Sequence, residues 1–283
     1  MSGQMKYRLP VSSPQFPHMQ HYIEAIRTSK EIQDNRGFYH FAGLHGAPGR
    51  WCWHHQFSRR SNLTARIFLP WHRAYLHRLE QSLQDIQPDA SIPWWDWTQS
   101  QGIPVAFSTP VIDGQDNPLF DSEVILNPPQ VPQPIHLRTT RNPDTQMPVF
   151  SFPAADVNQD GRATLGELVD YLIDSVSAYE QFNDLLEMVH DSIHGYVGES
   201  MADVTFAAYD PLFFSHHCMI DRIWALWQKK HGIENFPAGL KDVVLEPFGL
   251  TAGEVLNFQS LGYEYAMSLD DIPISGTGLE SVG

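Results

Sequence analysis

The sequence predicts a mainly α-helical fold with long irregular loops and little β structure. Three observations carry this. Four segments place apolar residues at helical spacing, ten of the 21 prolines fall in one stretch, and histidines sit on the apolar stripes. The 283 residues, at 32.2 kDa, can bury a sizeable core, and one domain over 1–283 is the expected organisation.

The first predicted helix spans 18–33, with Met19, Tyr22, Ile23 and Ile26 on one face. A second over 70–87 opens with Pro70 and aligns His72, Tyr75, Leu76, Leu79, Leu83 and Ile86. The longest pattern covers 164–194, through Leu168, Leu172, Val176, Tyr179, Phe182, Leu186, His190 and Ile193. A fourth runs over 211–230 after Asp210-Pro211, a cap followed by proline, with Phe213, His217, Ile220, Trp224 and Trp227 on its stripe.

Between the second and third helices the prolines exclude most regular structure. That stretch still carries Phe107, Val111, Ile112, Leu119, Phe120 and Phe150, so it reads as a loop (103–155) wrapped on the core. The core is expected over about 15–265, and the tail 266–283 is expected to be loose.

Composition excludes several classes of function. A net charge of −15 argues against binding a phosphate backbone, so no nucleic-acid partner is expected. No apolar run reaches the roughly 18 residues of a membrane helix, and no membrane partner is expected. The N-terminus lacks the apolar stretch of a signal peptide, which predicts a cytoplasmic product, export with a partner protein remaining open. Cys52 and Cys218 are too few for a disulfide framework. The oligomeric state is unreadable.

The unusual number is 14 histidines beside 18 lysines plus arginines. A single buried imidazole is most simply a core residue bonded to a carbonyl. His72, His190, His194 and His216 or His217 together are better explained as metal ligands inside a helix bundle. His190 and His194, four apart, project from one helix face. Residues 190–194 read HDSIH, which is not the zinc-protease motif, and no Glu-x-x-His pair of the di-iron kind lies nearby. Imidazole-only sites suit copper, zinc, iron or nickel, and spacing alone does not choose among them.

The runs FLPWHRAYLHRLE (68–80), PWWDW (93–97), HDSIHGYVG (190–198) and YDPLFFSHHCMIDRIWALWQ (209–228) resemble the tyrosinase family of type-3 copper proteins, which includes tyrosinases, catechol oxidases and molluscan-type hemocyanin units. The similarity runs from about Gly43 to LGYEY at 261–265. It implies an antiparallel four-helix bundle around two copper ions, each held by three histidines. The first copper would take His45, His72 and a histidine from WCWHH (51–55), where His54 is the match and His55 the alternative. That ligand departs from the family pattern, since the usual position nearer to PWHR is Leu63. Cys52 would be the partner of His54 in a thioether. The second copper would take His190, His194 and His217, with His216 as a neighbour rather than a ligand.

The resemblance further implies dioxygen and a small phenolic substrate, with ortho-hydroxylation of monophenols, oxidation of o-diphenols to o-quinones, or both. An o-aminophenol oxidase and a reversible oxygen-binding hemocyanin-like protein are the alternatives. Hemocyanin units cover their coppers with a further C-terminal domain, and the 18 residues after LGYEY would not supply one, which favours an oxidase. Asp191, Glu180 and Glu187 are the acid–base candidates, and Gly195 and Val204 fall at substrate-shaping positions.

A separate motif, DVNQDGRATLGE (156–167), fits a calcium loop through Asp156, Asn158, Asp160, Gly161, the carbonyl of Arg162, Thr164 and Glu167. Thr164-x-x-Glu167 is equally a capping box for the following helix.

Overall fold

A computed structural model describes residues 5–52, 66–99, 102–126, 135–151 and 162–272. The described helices are α1 (Pro17–Glu31), α2 (Phe38–His45), α3 (Phe68–Ile86), a single turn α4 (Val105–Ser108), α5 (Leu165–Ser175), α6 (Tyr179–Val197) and α7 (Leu212–His231). Four of them, α2, α3, α6 and α7, form the helical bundle that carries histidines into the interior. The Leu212 N–H is accepted by the Asp210 carboxylate at 2.9 Å, so the cap read in the sequence is present.

Two expectations for helices need correction. The pattern over 164–194 is two helices, α5 and α6, because Val176 and Ala178 take extended backbone. Val176 remains buried, and its carbonyl accepts the Trp227 indole N–H at 2.6 Å instead of continuing the helix. Serines on either side of Val176 compete for backbone hydrogen bonds and weaken the helix there. Helix α2 was not anticipated. Its eight residues bury Phe38, Phe41, Ala42 and His45, a spacing of one helical face.

The described strands form five two-stranded pairs. In the proline-rich stretch, β2 (Val111–Ile112) pairs antiparallel with β3 (Gln115–Asp116), and β4 (Glu123–Leu126) with β5 (Ile135–Arg138), in register Glu123 with Arg138. The loop therefore holds short antiparallel strand pairs, more order than expected. Ala106, Phe107, Ile112, Leu119 and Val124 of this stretch are buried in the core cluster, while Val111 and Phe120 stay exposed. Strand β6 (Phe150–Ser151) pairs with β7 (Arg162–Ala163), and β8 (Val244–Leu245) with β9 (Leu250–Thr251).

The core reaches further toward the N-terminus than residue 15. Strand β1 (Lys6–Arg8) runs parallel to β10 (Tyr263–Tyr265), and Arg8 is fully buried. After β10, residues 268–271 form a 3-10 turn closed by a Ser268/Asp271 capping box, so this part of the tail is not loose. One continuous apolar cluster fills the interior of the described residues, with Trp71, Trp94, Trp95, Trp97, Trp224 and Trp227 among its largest members. Among the described residues, no helix is long and apolar enough to cross a membrane.

Candidate metal centre

Five buried histidines converge from the four bundle helices. His45 ends α2, His72 lies in the second turn of α3, His190 and His194 share one face of α6, and His217 projects from α7. The Nε2 atom of His217 lies 3.1 Å from Nε2 of His190 and 3.4 Å from Nε2 of His194. Two groups have ring nitrogens within 4.8 Å of one another: His190, His194, His216 and His217, and His45, His72 and His217. His217 thus stands between both groups, whereas the family resemblance gives it to the second alone.

Local contacts fix how each ring faces the interior. His72 Nδ1 meets the Phe68 carbonyl at 2.8 Å and His194 Nδ1 meets the Met201 carbonyl at 2.6 Å. His190 Nδ1 meets the Asp191 carboxylate at 3.0 Å. Each acceptor assigns the ring proton to Nδ1 and leaves the Nε2 lone pair pointing inward. Phe68 packs between His72 and His190, with ring centroids at 4.6 and 4.9 Å, and Phe213 lies 4.1 Å from His217.

Burial strongly disfavours protonation of these rings. Desolvation pushes His72 down to about 3 and His194 to about 4, and holds His45, His216 and His217 well below the usual histidine range. Neighbouring imidazoles add repulsion at His45, His216 and His217. Neutral imidazoles with convergent lone pairs are the chemical form that binds a transition metal, so this donor set fits copper ions. His216, fully buried, stacks on His190 at 5.1 Å and belongs to the second group by proximity.

One loop steadies both groups. Residues 198–206 supply the Met201 carbonyl to His194, and the Val204 backbone lies beside His45. Its entry is Gly198 at φ 73°, where a Cβ would lie 2.8 Å from the Asn142 carbonyl oxygen. Its other end lies against Gly46, where a Cβ would come within 2.2 Å of the Thr205 carbonyl oxygen. Only glycine permits this close approach beside His45.

The histidines open onto a cavity of about 380 Å³, walled by Asp191, Gly195, Met201, Ala202, Asp203, Val204 and Ala207, with His45, His190 and His194 at its base. The expected Asp191, Gly195 and Val204 are therefore brought together. Met201, Ala202, Asp203 and Ala207 were not anticipated, because a wall built from a loop leaves no periodic signal. Glu180 and Glu187 do not line this wall. Glu180 lies 3.9 Å from Arg66 at the surface, and Glu187 is buried on α6.

His54 and His55 lie outside the described residues. Cys52 packs half-buried against the core, and burial pushes its thiol up to about 12. The Cys218 thiol is buried and donates to the Ile92 carbonyl at 3.2 Å. Calcium finds no support. Asp156, Asn158, Asp160 and Gly161 lie outside the described residues, and Glu167 Oε2 instead accepts the Thr164 N–H and hydroxyl at 2.8 Å in a complete capping box. Arg162 belongs to β7.

The common central domain of tyrosinase matches residues 35–230. A tyrosinase of Streptomyces glaucescens is 30% identical over 209 residues, which are 62% of this chain and 68% of that protein. Hemocyanin 2 of Megathura crenulata is 26% identical over 292 residues; the match takes in 92% of this chain but only 8% of that much longer protein. The solved structure of a tyrosinase from Burkholderia thailandensis superposes with a TM-score of 0.70 at 23% identity, covering 95% of this chain and 75% of that one. With the central domain matched across the helices that hold all five converging histidines, the chain belongs to the tyrosinase family of type-3 copper proteins, whose members bind two copper ions.

Proposed function

We propose that the chain is a copper-dependent oxidase of small phenols, one that oxidises o-diphenols to o-quinones and ortho-hydroxylates monophenols with dioxygen. The observation that carries this reading over reversible oxygen carriage is the cavity above the histidines. At about 380 Å³ it holds far more than dioxygen, and Gly195 and Asp203 in its wall are exposed to solvent.

In this reading His190, His194 and His217 hold one copper. His45 and His72 hold the other, with His54 as the third ligand and His55 as its alternative. The copper pair supplies the redox chemistry with dioxygen. The chain supplies position and proton acceptance. A Cβ on Gly195 would meet nothing within 4 Å, so an aromatic ring has room above it. A phenol with a pKa near ~10 keeps its proton at neutral pH, so an acceptor is needed. Asp191, in the wall and 3.0 Å from His190 Nδ1, fills that role directly or through a water. Glu180 and Glu187 lie off the wall, which leaves the role to Asp191.

Oxygen uptake by the copper-loaded chain, measured with a monophenol, an o-diphenol and an o-aminophenol, tests the reading. Sustained uptake with the first two is expected. Uptake with the o-aminophenol alone would make it an o-aminophenol oxidase. Stoichiometric oxygen binding without turnover would make it a carrier.

A further inference from the structure

Met201, Ala202, Asp203, Val204 and Ala207, which wall the cavity, all belong to the one loop between α6 and α7. Its own backbone bonds are short in range, such as Met201 N–H to the Gly198 carbonyl at 3.1 Å and Phe206 N–H to the Asp203 carbonyl at 2.9 Å. Bonds of that kind shape a turn but do not place it against the histidines. Its crest, Ala202 and Asp203, is exposed, so placement falls to anchors outside the loop. One anchor is Ala47, whose N–H donates to the Thr205 carbonyl at 3.2 Å and whose carbonyl accepts the Tyr209 hydroxyl at 2.9 Å.

The other anchor is a run of consecutive residues after β5. At the loop's entry, Asn142 N–H donates to the Val197 carbonyl at 3.0 Å and Ser200 N–H to the Thr140 carbonyl at 3.2 Å. Thr140 N–H in turn donates to Ser200 Oγ at 3.0 Å. At the exit, the side chain of Arg141 forks onto Asp210, Nε to Oδ2 at 2.7 Å and Nη2 to Oδ1 at 2.6 Å. Asp210 is fully buried and also accepts the Leu212 N–H that starts α7. Arg141 further donates to the Phe107 carbonyl, and to the Leu119 carbonyl at 3.0 Å. A guanidinium meets a carboxylate with two parallel bonds and still keeps donors for two carbonyls, which an ammonium does not. Thr140, Arg141 and Asn142 thus hold both ends of the wall loop from one piece of chain.

We infer that Arg141 is a positioning residue for the metal centre: by clasping the exit of the wall loop to its entry, it sets the Met201 carbonyl that accepts the His194 Nδ1–H at 2.6 Å. That bond keeps the ring proton on Nδ1 and leaves Nε2 for copper. Without the clasp the carbonyl moves off, both neutral tautomers of His194 are populated, and the wall above it loosens. Arg141→Lys keeps a charge for Asp210 but cannot make the fork, and Arg141→Met removes the charge as well. Ser200→Ala cuts one tie at the entry and leaves the buried ion pair intact, so it reports on the loop even where Arg141→Met does not fold. The inference concerns the loop and a copper ligand, and it does not rest on the oxidase reading.

The test uses the full copper-free chain for two readouts and copper binding for a third. Hydrogen–deuterium exchange of the 198–209 amides should speed up about tenfold in Arg141→Met and several-fold in Arg141→Lys and Ser200→Ala. In the last two variants the amides of α1 and α3 should change by less than about twofold, because the opening is local. Ring-nitrogen chemical shifts of His194 should move from a single Nδ1–H tautomer toward a mixture in Arg141→Lys. Competition with a chelator should show one of the two coppers held about tenfold more weakly in the same variant. Exchange raised equally in α1, α3 and the loop would make Arg141 a purely structural residue and overturn the proposal, as would a His194 ring and a copper affinity untouched by Arg141→Lys. Oxygen uptake plays no part in these measurements, so a chain that fails to oxidise any phenol sinks the oxidase reading and leaves this inference standing.

Discussion

The Arg73 guanidinium donates through Nε to Asp221 Oδ1 at 2.6 Å, and both side chains are buried. Arg73 follows His72 on α3 and Asp221 lies one turn after His217 on α7, so the pair locks together two helices that bring histidines to the centre. Arg8 of β1 donates to the other Asp221 oxygen at 3.1 Å and forks onto Glu80, while the Tyr263 and Tyr265 hydroxyls donate to Asp221 at 2.7 and 2.6 Å. Burial alone would raise the Asp221 carboxyl, but the Arg73 and Arg8 guanidinium groups more than offset it and hold it below the usual range.

Removing one member leaves the others buried and uncompensated. Arg73→Met or Asp221→Asn is expected to cost about 3–5 kcal/mol of unfolding free energy, and to lower copper content by loosening α3 against α7. Urea unfolding of the copper-free chain measures the first effect. A loss below about 1 kcal/mol would show that the network does not hold the helices together.

Acid should destabilise the copper-free chain in two stages. His72 and His194, held near about 3 and about 4 by desolvation, stay neutral in the fold but become protonated in the unfolded chain below its ordinary 6.5. The unfolded state then binds more protons, so stability falls as pH drops below 6.5, by up to about 1.4 kcal/mol per pH unit for each such histidine. Asp221 acts at lower pH. Its depressed value contributes stability above the ordinary 3.8, and that contribution is lost as pH falls through the folded value. Melting temperatures between pH 7 and pH 4 check the first stage. A flat profile there would mean the rings are not desolvated in solution.

The parts of this arrangement that were legible in the sequence are those with a period. The stripes through His72, His190 and His217 placed three helices and their inward faces. The break at Val176 was invisible because its side chain stays buried and the apolar pattern runs through it unchanged. Helix α2 is too short for periodicity to separate it from a loop, although Phe38, Phe41, Ala42 and His45 do share its face. The Met201 carbonyl that steadies His194 could not be read at all, since every residue carries the same backbone groups. Arg8 was missed for another reason: its partners Glu80 and Asp221 lie 72 and 213 residues away, and no local pattern reports such pairing.

The capping box makes a prediction at the start of α5. The Thr164 hydroxyl accepts the Glu167 N–H at 3.3 Å, and Glu167 reaches back to the Thr164 N–H. Thr164→Ala should cost about 1 kcal/mol, and calcium or a chelator should leave the melting temperature of the unmodified chain unchanged. A rise in melting temperature with calcium would restore the metal-loop reading of 156–167.

Copper stoichiometry tests the histidine assignment. Two coppers per chain are expected by atomic absorption, falling toward one in His194→Ala. His54→Ala should also lose one copper, while His55→Ala should keep both. The reverse result for the last pair would move the ligand to His55, and a single copper in the unmodified chain would remove the second site altogether.

Asp191 should set the balance between the two phenol reactions. A catechol loses protons readily, so its oxidation asks little of the wall beyond access. A monophenol must give up a proton with a pKa near ~10 before or as it reacts, and that asks for a placed acceptor. Asp191 is half-exposed in the cavity and its Oδ1 faces His190 Nδ1 at 3.0 Å, so one carboxylate touches both the solvent-filled cavity and a histidine of the centre. As a carboxylate it only accepts, whereas an asparagine amide must also present a donor. Asp191→Asn keeps the size of the side chain and removes half of its accepting capacity. It should lower monophenol oxidation about tenfold or more while changing diphenol oxidation by less than about threefold, an efficiency in the usual range for a placed acid–base group. Paired assays on a matched monophenol and diphenol read the ratio directly. If the two rates fall together, Asp191 serves the histidine rather than the substrate, and proton acceptance must be sought elsewhere in the wall.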